Sequence, residues 1–345
     1  PAQPTKLKRG PTPSGTSSRT HTTALGCPER PLQPHSAAGI HCVTASDAEE
    51  YSVESPTWIE GVPVVVVTGG TGGIGRAAVE SLLGMGVHVV LAARDLKKAQ
   101  RVCETAEVDH GRACVTVVEC DLASFASVRR AADEICAAHP AIDGIIANAG
   151  VIASRREVTE DGHELTFQVN HLSHFLLINL LRPALTAASP ARVVVVSSDA
   201  HRAAWRGLHL DDLDSERHFT PFGAYASSKL ANIMFAYEAA ERWSGSGVSV
   251  NAMHPGVITS DLGRSGWAPA GFVWNHLVPK RSPAEGAKTA VWLAVSPEVE
   301  GASGLYFFRQ RVKRSSRAAY DRTARRTLWN ISARLTGLVG DADED

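Results

Sequence analysis

Short apolar runs alternate with longer amphipathic segments through the middle of the chain. The first run, Val-Pro-Val-Val-Val-Val at 62–67, is apolar throughout, and further runs rich in Val, Ile and Leu follow it. Runs of this length are typical of buried strands, whereas apolar residues at every third or fourth position are typical of helices. We predict strands near 62–67, 87–92, 114–119, 142–147, 192–196, 248–253 and 305–308, and helices near 75–85, 94–107, 124–139, 164–185, 225–243 and 284–294.

The order of these elements, strand then helix, indicates a parallel sheet, because parallel neighbours need a crossover between them. Strands that lack a polar face must be covered on both sides. We therefore predict a single doubly wound α/β domain with a seven-stranded parallel sheet over residues 58–338. A chain of 345 residues is long enough to bury such a core.

Residues 1–57 differ in composition from the rest, being rich in Pro, Ser and Thr and poor in acids before Asp47. Such a segment cannot bury enough apolar surface to fold alone, so we predict a disordered leader. Its basic, acid-poor composition is also compatible with a transit segment or a mis-called upstream start. We expect a cytoplasmic protein, with a chloroplast or mitochondrion as the alternative, and a short acidic tail at 339–345.

A glycine-rich stretch, Thr-Gly-Gly-Thr-Gly-Gly-Ile-Gly at 68–75, follows the first predicted strand and opens the first helix. Glycines permit a tight turn and the close approach of a pyrophosphate, and the helix N-terminus supplies amides and a favourable dipole. The place of this stretch between strand and helix indicates a dinucleotide site rather than an ordinary turn. We predict cofactor contacts from Gly69, Gly73, Ile74 and Gly75.

The second predicted strand ends Leu-Ala-Ala-Arg-Asp at 91–95, about twenty residues beyond the glycines. An NAD enzyme places an acid here on the ribose 2′-hydroxyl, whereas a basic residue suits a 2′-phosphate. Arg94 therefore favours NADP(H) over NAD(H) as the cofactor. The alternative is that Arg94 is a solvated residue at the start of a helix and that Asp95 is its N-cap.

Tyr225 and Lys229 lie four residues apart in a predicted helix, and therefore on one face of it. An ammonium near a phenol favours the phenolate, so we expect Lys229 to lower the pKa of Tyr225 from its usual value of about 10. Behind a dinucleotide loop, such a pair indicates proton transfer coupled to hydride transfer. His254 has no partner at a suggestive spacing and is interpreted as structural.

Charge and composition exclude several other classes of function. Lys and Arg number 35 and Asp and Glu 36, which gives no global field to gather nucleic acid or an anionic membrane. The six cysteines form no C-x-x-C pair and no zinc-finger spacing, so we predict reduced structural thiols and no metal site. No run approaches the roughly 20 apolar residues of a membrane span. We expect a small molecule as the partner.

Together these motifs resemble the short-chain dehydrogenase/reductase family over about residues 62–338. Val-Asn-His-Leu-Ser-His-Phe at 169–175, Ser-Ser-Lys-Leu-Ala-Asn at 227–232 and Leu-Trp-Asn at 328–330 are similar to its retinol-dehydrogenase-like branch. The resemblance implies a Rossmann-type fold and a nicotinamide cofactor. It also implies a catalytic tetrad of Asn170, Ser198, Tyr225 and Lys229.

The resemblance assigns a role to each position. It makes Tyr225 the general acid/base and Ser198 the hydroxyl that orients the carbonyl, with Ser197 as a structural neighbour. Lys229 and Tyr225 are also expected to contact the cofactor. Asn170 is expected to belong to a proton relay that connects Lys229 to solvent. Further cofactor contacts are implied for Asp121, Leu122, Asn148, Gly150 and Val257. Two positions depart from the family pattern, since Ala147 replaces the first Asn of Asn-Asn-Ala-Gly and Ser173 replaces a Gly.

We predict an NADP(H)-dependent oxidoreductase that interconverts an apolar aldehyde or ketone and its alcohol. Trp267 and Trp274 lie in the segment 257–283, where the family keeps its substrate lid. Two tryptophans there favour an apolar substrate. Alternatively, they only pack the lid on its own core. The alternative is a cofactor-binding regulatory or scaffold protein with little turnover. A third interpretation, a sugar-nucleotide epimerase, is disfavoured because its larger C-terminal substrate domain has no room here. The family suggests a monomer or a homodimer.

The segment Arg309 to Arg334 carries nine basic residues against the single acid Asp321, with apolar residues at helical spacing. The pattern predicts a basic amphipathic helix. Such a helix either docks on its own domain with solvated arginines or, through 316–337, makes a peripheral membrane contact. We favour the docked arrangement.

Overall fold

The computed structural model describes residues 61–110, 115–258 and 281–338. The predicted leader, the acidic tail and both tryptophans of the predicted lid, Trp267 and Trp274, lie outside the described residues. Eight strands form one sheet: β1 (Val64–Thr68), β2 (His88–Ala93), β3 (Val115–Glu119), β4 (Gly144–Ala147), β5 (Ala191–Val196), β6 (Val248–Met253), β7 (Tyr306–Phe308) and β8 (Arg311–Val312).

The strands lie in the order β3-β2-β1-β4-β5-β6-β7-β8. Strands β1 to β7 are parallel, which confirms the predicted doubly wound arrangement. The winding direction reverses between β1 and β4, and in such sheets the crevice at the carboxyl ends of these two strands is where ligands bind.

The sheet has eight strands rather than the seven predicted, because the chain turns back after β7. Arg309 and Gln310 both have positive φ, at 54° and 58°, and form a tight turn that brings β8 back antiparallel to β7. A two-residue strand that is exposed on both positions leaves no apolar run in the sequence, so the pattern could not indicate it.

Eight α-helices are described: α1 (Gly73–Gly84), α2 (Leu96–His110), α3 (Phe125–Ala138), α4 (Leu165–Phe167), α5 (Ser173–Ala188), α6 (Pro221–Arg242), α7 (Pro283–Val295) and α8 (Arg322–Leu335). Strand side chains alternate between two buried cores, one on each face of the sheet. Val66 and Ile145 face the core that contains α3, α5 and α6. Val65 and Val67 face the core that contains α1, α2 and α7.

One long helix was expected over 164–185, but the structure divides this stretch. A π-helical segment, Gln168–Leu172, separates α4 from α5, and all five of its residues are buried. Periodicity cannot distinguish one wider turn from an ordinary one. Single π turns within helices are frequently found at functional sites, and this one contains Asn170.

Helix α6 begins four residues before the predicted start at Tyr225, for reasons visible in the sequence. The Thr220 side chain accepts a hydrogen bond from the backbone N–H of Gly223 (3.0 Å), and Pro221 occupies the first turn. Both are favourable at a helix N-terminus, where the first N–H groups lack partners within the helix. This cap fixes the end of α6 that carries Tyr225.

The basic C-terminal segment is not one helix from Arg309, because α8 begins only at Arg322. Its apolar side is buried against α5 and α6: Leu328 is 1% exposed, and the Trp329 ring packs 4.9 Å from that of Phe175. On the same side Arg325 bonds Glu241 of α6 at 2.5 Å. The favoured docked arrangement is therefore the observed one. Among the described residues, none of the helices combines the length and apolar character that crossing a bilayer requires.

Candidate active site

The glycine loop between β1 and α1 is closely packed at two glycines and open at a third. Gly69 has φ of +67°, and a Cβ added there would lie 2.8 Å from Cα of Ala149. A Cβ added at Gly75 would meet the carbonyl oxygen of Gly69 and lie 2.5 Å from Nδ2 of Asn148, so only glycine allows this approach of the loop to the end of β4. A Cβ added at Gly73 would meet nothing within 4 Å, and this open cradle at the N-terminus of α1 fits a pyrophosphate.

Thr68, the last residue of β1, joins this loop to the neighbouring strand. Its Oγ1 accepts hydrogen bonds from the backbone N–H groups of Asn148 and Ala149, each at 3.0 Å. The Asn148 side chain returns a bond to the Thr68 carbonyl at 3.0 Å. The two carboxyl ends at the switch point are therefore held together by side chains, and the Asn148 side chain lies beside the glycine loop.

A buried histidine extends this chain of hydrogen bonds to Asn170. His174 Nε2 lies 2.9 Å from Thr68 Oγ1, and its Nδ1 lies 3.1 Å from the Asn170 carbonyl oxygen. Burial lowers the pKa of His174 to about 4, so the ring is neutral. Because a carbonyl only accepts, Nδ1 carries the proton and Nε2 accepts from the threonine hydroxyl. Neither Thr68 nor His174 was predicted as a site residue.

Asn170 connects the end of β4 to the start of α6. Its Oδ1 accepts from the Val151 backbone N–H at 2.7 Å, and its Nδ2 donates to the Val151 carbonyl at 3.0 Å. Nδ2 also donates to Ser228 Oγ at 3.0 Å, and Ser228 in turn donates to the Tyr225 carbonyl at 2.8 Å. Asn170 thus holds the backbone on both sides of the site. Ser228 is a further supporting residue that the sequence did not single out.

Lys229 is anchored beneath the site by the end of β5. Its Nζ donates to the Val196 carbonyl at 3.0 Å, and Ser197 Oγ donates to the Lys229 carbonyl at 2.7 Å. The ammonium lies 5.6 Å from the centre of the Tyr225 ring. A Cβ added at Gly150 would lie 3.5 Å from Nζ, so the space beside Lys229 depends on this glycine. Ser197 has the structural place predicted for it.

The Ser198 side chain lies close enough to the Tyr225 phenol to lower its pKa, so the structure brings these two predicted groups together. Burial nevertheless raises the pKa of Tyr225 above its usual value, because Ser198 only partly opposes the loss of solvent. Burial also lowers the pKa of Lys229 to about 8. The expectation that Lys229 lowers the pKa of Tyr225 is therefore wrong for this geometry, since the pKa is raised and Lys229 is not among the groups that shift it. At neutral pH the pair consists of a neutral phenol and a charged ammonium.

The predicted adenine-side residues lie at the ends of β2 and β3. Arg94 is exposed at the end of β2, and Asp95 accepts from the Lys98 backbone N–H at 3.0 Å as the N-cap of α2. Asp121 accepts from the Ala123 backbone N–H at 3.0 Å. The side chain of Leu122 belongs to the core, so only its backbone can face a cofactor.

The two departures from the family pattern are accommodated locally. Ser173 donates from Oγ to the Leu122 carbonyl at 2.6 Å, which gives the buried hydroxyl a partner and ties α5 to the loop after β3. Ala147 is 1% exposed and packs in the core. At the far side of the site, the Val257 carbonyl accepts from the Arg281 backbone N–H at 2.9 Å.

A doubly wound parallel sheet, a glycine cradle at its switch point and a Ser-Tyr-Lys group at the same edge, with the lysine buried, define a dinucleotide-dependent oxidoreductase. Comparison with known proteins agrees. A family model described as short chain dehydrogenase matches residues 63–210. Retinol dehydrogenase 14 of Mus musculus is 39% identical over 289 residues, which cover 80% of this chain and 86% of that protein.

Two further comparisons extend this result. Human polyprenol dehydrogenase is 37% identical over 288 residues, which cover 80% of this chain and 86% of that protein. The crystal structure of an uncharacterized protein from Mycobacterium paratuberculosis superposes with a TM-score of 0.65 at 30% identity and covers 82% of this chain and 95% of that one. The chain belongs to the short-chain dehydrogenase/reductase family, in its retinol-dehydrogenase-like branch.

Proposed function

We propose that the chain is an NADP(H)-dependent oxidoreductase that interconverts an apolar carbonyl compound and its alcohol. The observation that carries this proposal is the Ser198–Tyr225–Lys229 group, in which half-buried Ser198 and Tyr225 lie together and the buried ammonium of Lys229 is 5.6 Å from the centre of the phenol ring. It lies at the edge of the sheet where the glycine cradle fits a pyrophosphate.

Each of these side chains has a distinct task in the proposed reaction. The Ser198 hydroxyl holds the substrate oxygen, and Tyr225 gives its phenol proton to that oxygen in reduction or takes it back in oxidation. Lys229 stabilises the phenolate that proton transfer leaves behind, since its charge is present at neutral pH. A bound nicotinamide supplies or accepts the hydride. Asn170 keeps the surrounding backbone in place.

The cofactor preference rests on the end of β2. Arg94 is exposed there, and Asp95 is the N-cap of α2, which is the place that the alternative interpretation gave it. An exposed guanidinium at the end of this strand suits a 2′-phosphate, so the argument rests on Arg94 alone. This favours NADP(H).

The substrate class follows from the surroundings of α6 and from the relatives. A cavity of about 540 Å³ lies between the loop after Ser198 and the start of α6, lined by apolar residues together with charged ones such as Arg206 and Asp212, and neither Ser198 nor Tyr225 lines it. Retinol and polyprenol, named in the two relatives, are both apolar isoprenoid alcohols. We therefore propose an apolar alcohol or aldehyde as substrate. The apolar part of the lining consists mainly of Trp205, Leu208, Leu213, Phe222 and Ala226.

The experiment that tests this function compares the full chain with its Tyr225→Phe variant. Oxidation of NADPH and NADH is followed with retinal, long-chain aldehydes, steroid ketones and small aromatic aldehydes. We expect turnover with NADPH preferred, and a fall of at least about 100-fold in kcat for Tyr225→Phe with nearly unchanged NADPH affinity. Tyr320→Phe, a tyrosine on the exposed surface, is the matched control.

Two outcomes would contradict the proposal in different ways. Full activity of Tyr225→Phe would refute the proton-transfer role. Tight NADPH binding by the unchanged chain without turnover on any compound would favour the regulatory or scaffold alternative.

A further inference from the structure

Asp199, the residue after Ser198, gathers side chains from three separate parts of the chain. Its Oδ2 accepts from Lys313 Nζ at 2.6 Å, and its Oδ1 accepts from the Tyr306 hydroxyl at 3.2 Å. Arg202 Nε lies 3.3 Å from Oδ1, and His254 Nε2 lies 3.4 Å from Oδ2. Burial opposes the charged form, but the bond and charge of Lys313 outweigh it and lower the pKa of Asp199 to about 2.

His254, at the end of β6, has a single arrangement of protons that satisfies its neighbours. Its Nδ1 accepts from the Gly256 backbone N–H at 3.2 Å, so Nδ1 carries no proton. Burial lowers the pKa of His254 to about 4 despite the Asp199 carboxylate, so the ring is neutral. The one proton therefore lies on Nε2 and faces Asp199. The ring also stacks on Phe308, with the ring centres 4.7 Å apart.

The contact between His254 and Gly256 fixes a tight turn that depends on a glycine. Gly256 has φ of +94°, which side chains other than glycine rarely adopt. The next residue is Val257, the position that the family resemblance places against the nicotinamide carboxamide. A change in the His254 tautomer would remove the acceptor of the Gly256 N–H and release this turn.

The other side of Asp199 is equally well anchored. His201 Nδ1 lies 2.6 Å from the Ser198 carbonyl oxygen, and its Nε2 accepts from the Ser316 backbone N–H at 3.0 Å. His201 thus holds the backbone of Ser198, while Asp199 reaches across to His254. Asp199 and His201 therefore connect the segment after Ser198 to the C-terminal part of the chain and to the end of β6.

We propose that Asp199 is a positioning residue for the reaction: it fixes the Nε2–H tautomer of His254 and thereby holds the turn at 254–257 in register with Ser198. The proposal rests on the proposed function, because it assigns Ser198 to the substrate oxygen and Val257 to the nicotinamide. His254, interpreted from the sequence as a structural histidine without a partner, acquires a partner and a reason for its position.

The test is Asp199→Asn in the full chain, with Glu80→Gln as the matched control. Glu80 is exposed on α1 and pairs with Arg76 at 2.7 Å, so its substitution removes an ion pair outside the cluster and the cavity. An amide has one donor end, which must face either Lys313 and His254 or Tyr306 and Arg202. In either orientation the NH2 group of Asn faces N–H or O–H groups that the carboxylate oxygens of Asp199 had accepted from. The substitution keeps the shape of the side chain but disrupts the cluster.

Three measurements separate positioning from simple loss of stability. The ¹⁵N shifts of the His254 ring report its tautomer, with His254→Gln used to assign the signals. NADPH affinity and the separate kcat and KM values report the site, and Tm reports the fold. For Asp199→Asn we expect a mixed tautomer, weaker NADPH binding and kcat/KM reduced by about 10- to 100-fold, mainly through kcat. Glu80→Gln should match the unchanged chain in all of them.

An unchanged His254 tautomer together with kcat/KM equal to the control would overturn the proposal. If Asp199→Asn does not fold, Lys313→Met removes the nearest cation instead, and Lys313→Arg should restore the tautomer and NADPH affinity. If the unchanged chain has no turnover, the proposed function fails by itself. The tautomer and the NADPH affinity of the variants then still decide whether Asp199 positions the turn.

Discussion

Replacing Thr68 by Val should weaken the fold at the switch point of the sheet. The two side chains have the same shape, but Val removes a hydroxyl that is 1% exposed and makes three hydrogen bonds. The backbone N–H groups of Asn148 and Ala149 lose their acceptor, and His174 Nε2 loses its donor. At about 1 kcal/mol for each broken bond, the free energy of unfolding should fall by about 3 kcal/mol.

The assay is urea unfolding of the full chain, followed by far-UV circular dichroism, with NADPH affinity measured on the same samples. Thr116→Val is the matched control, because Thr116 lies in β3 of the same sheet and makes one side-chain bond, to His88 at 2.9 Å. We expect the control to lose about 1 kcal/mol or less. A Thr68→Val loss no larger than that of Thr116→Val would refute the reasoning. Weaker NADPH binding should accompany the larger loss, since Asn148 supports the glycine loop.

Three other predictions follow from the site and the C-terminal helix. Carbonyl reduction should be constant near neutral pH and fall above about pH 8, as Lys229 loses its charge while Tyr225 remains protonated; a pH profile of kcat checks this. Arg94→Asp should reduce the preference for NADPH over NADH at least about tenfold in kcat/KM, because a carboxylate repels the 2′-phosphate. Trp329→Ala should lower the free energy of unfolding by about 2–3 kcal/mol, whereas Trp205→Ala, at a site 67% exposed, should change it by less than about 0.5 kcal/mol in the same urea assay.

The sequence predicted most of the sheet because its strands are buried on both faces and therefore apolar along their length. Tyr225 and Lys229 were predictable as a pair because helical spacing alone puts them on one face. Their pKa values were not, since spacing along a helix says nothing of how much solvent the surrounding segments remove. The direction of the Tyr225 shift consequently came out opposite to the prediction.

The supporting residues escaped prediction for a different reason. Thr68 and His174 are 106 residues apart in the chain and meet only because the end of β1 and the start of α5 converge on the switch point. Ser228 lies between the two predicted catalytic residues, yet its role depends on Asn170, 58 positions earlier. The one available signal was a strand-ending hydroxyl at Thr68, directly before the glycines. Contacts of this length carry no periodicity, so a single sequence cannot indicate them.

The C-terminal segment shows why the catalytic residues alone do not delimit the site. The sequence singled out the arginines of this segment, from Arg309 onward, because of its basic composition. The contacts that reach the site come mainly from other residues of the segment. Three of them are Lys313 with Asp199, Ser316 with His201, and Ser332 with His171. Asp199 and His201 follow Ser198, and His171 follows Asn170, so the segment supports the backbone behind two members of the tetrad. The match of the family model ends at residue 210, and the structure shows that the site needs the chain for more than a hundred residues beyond it.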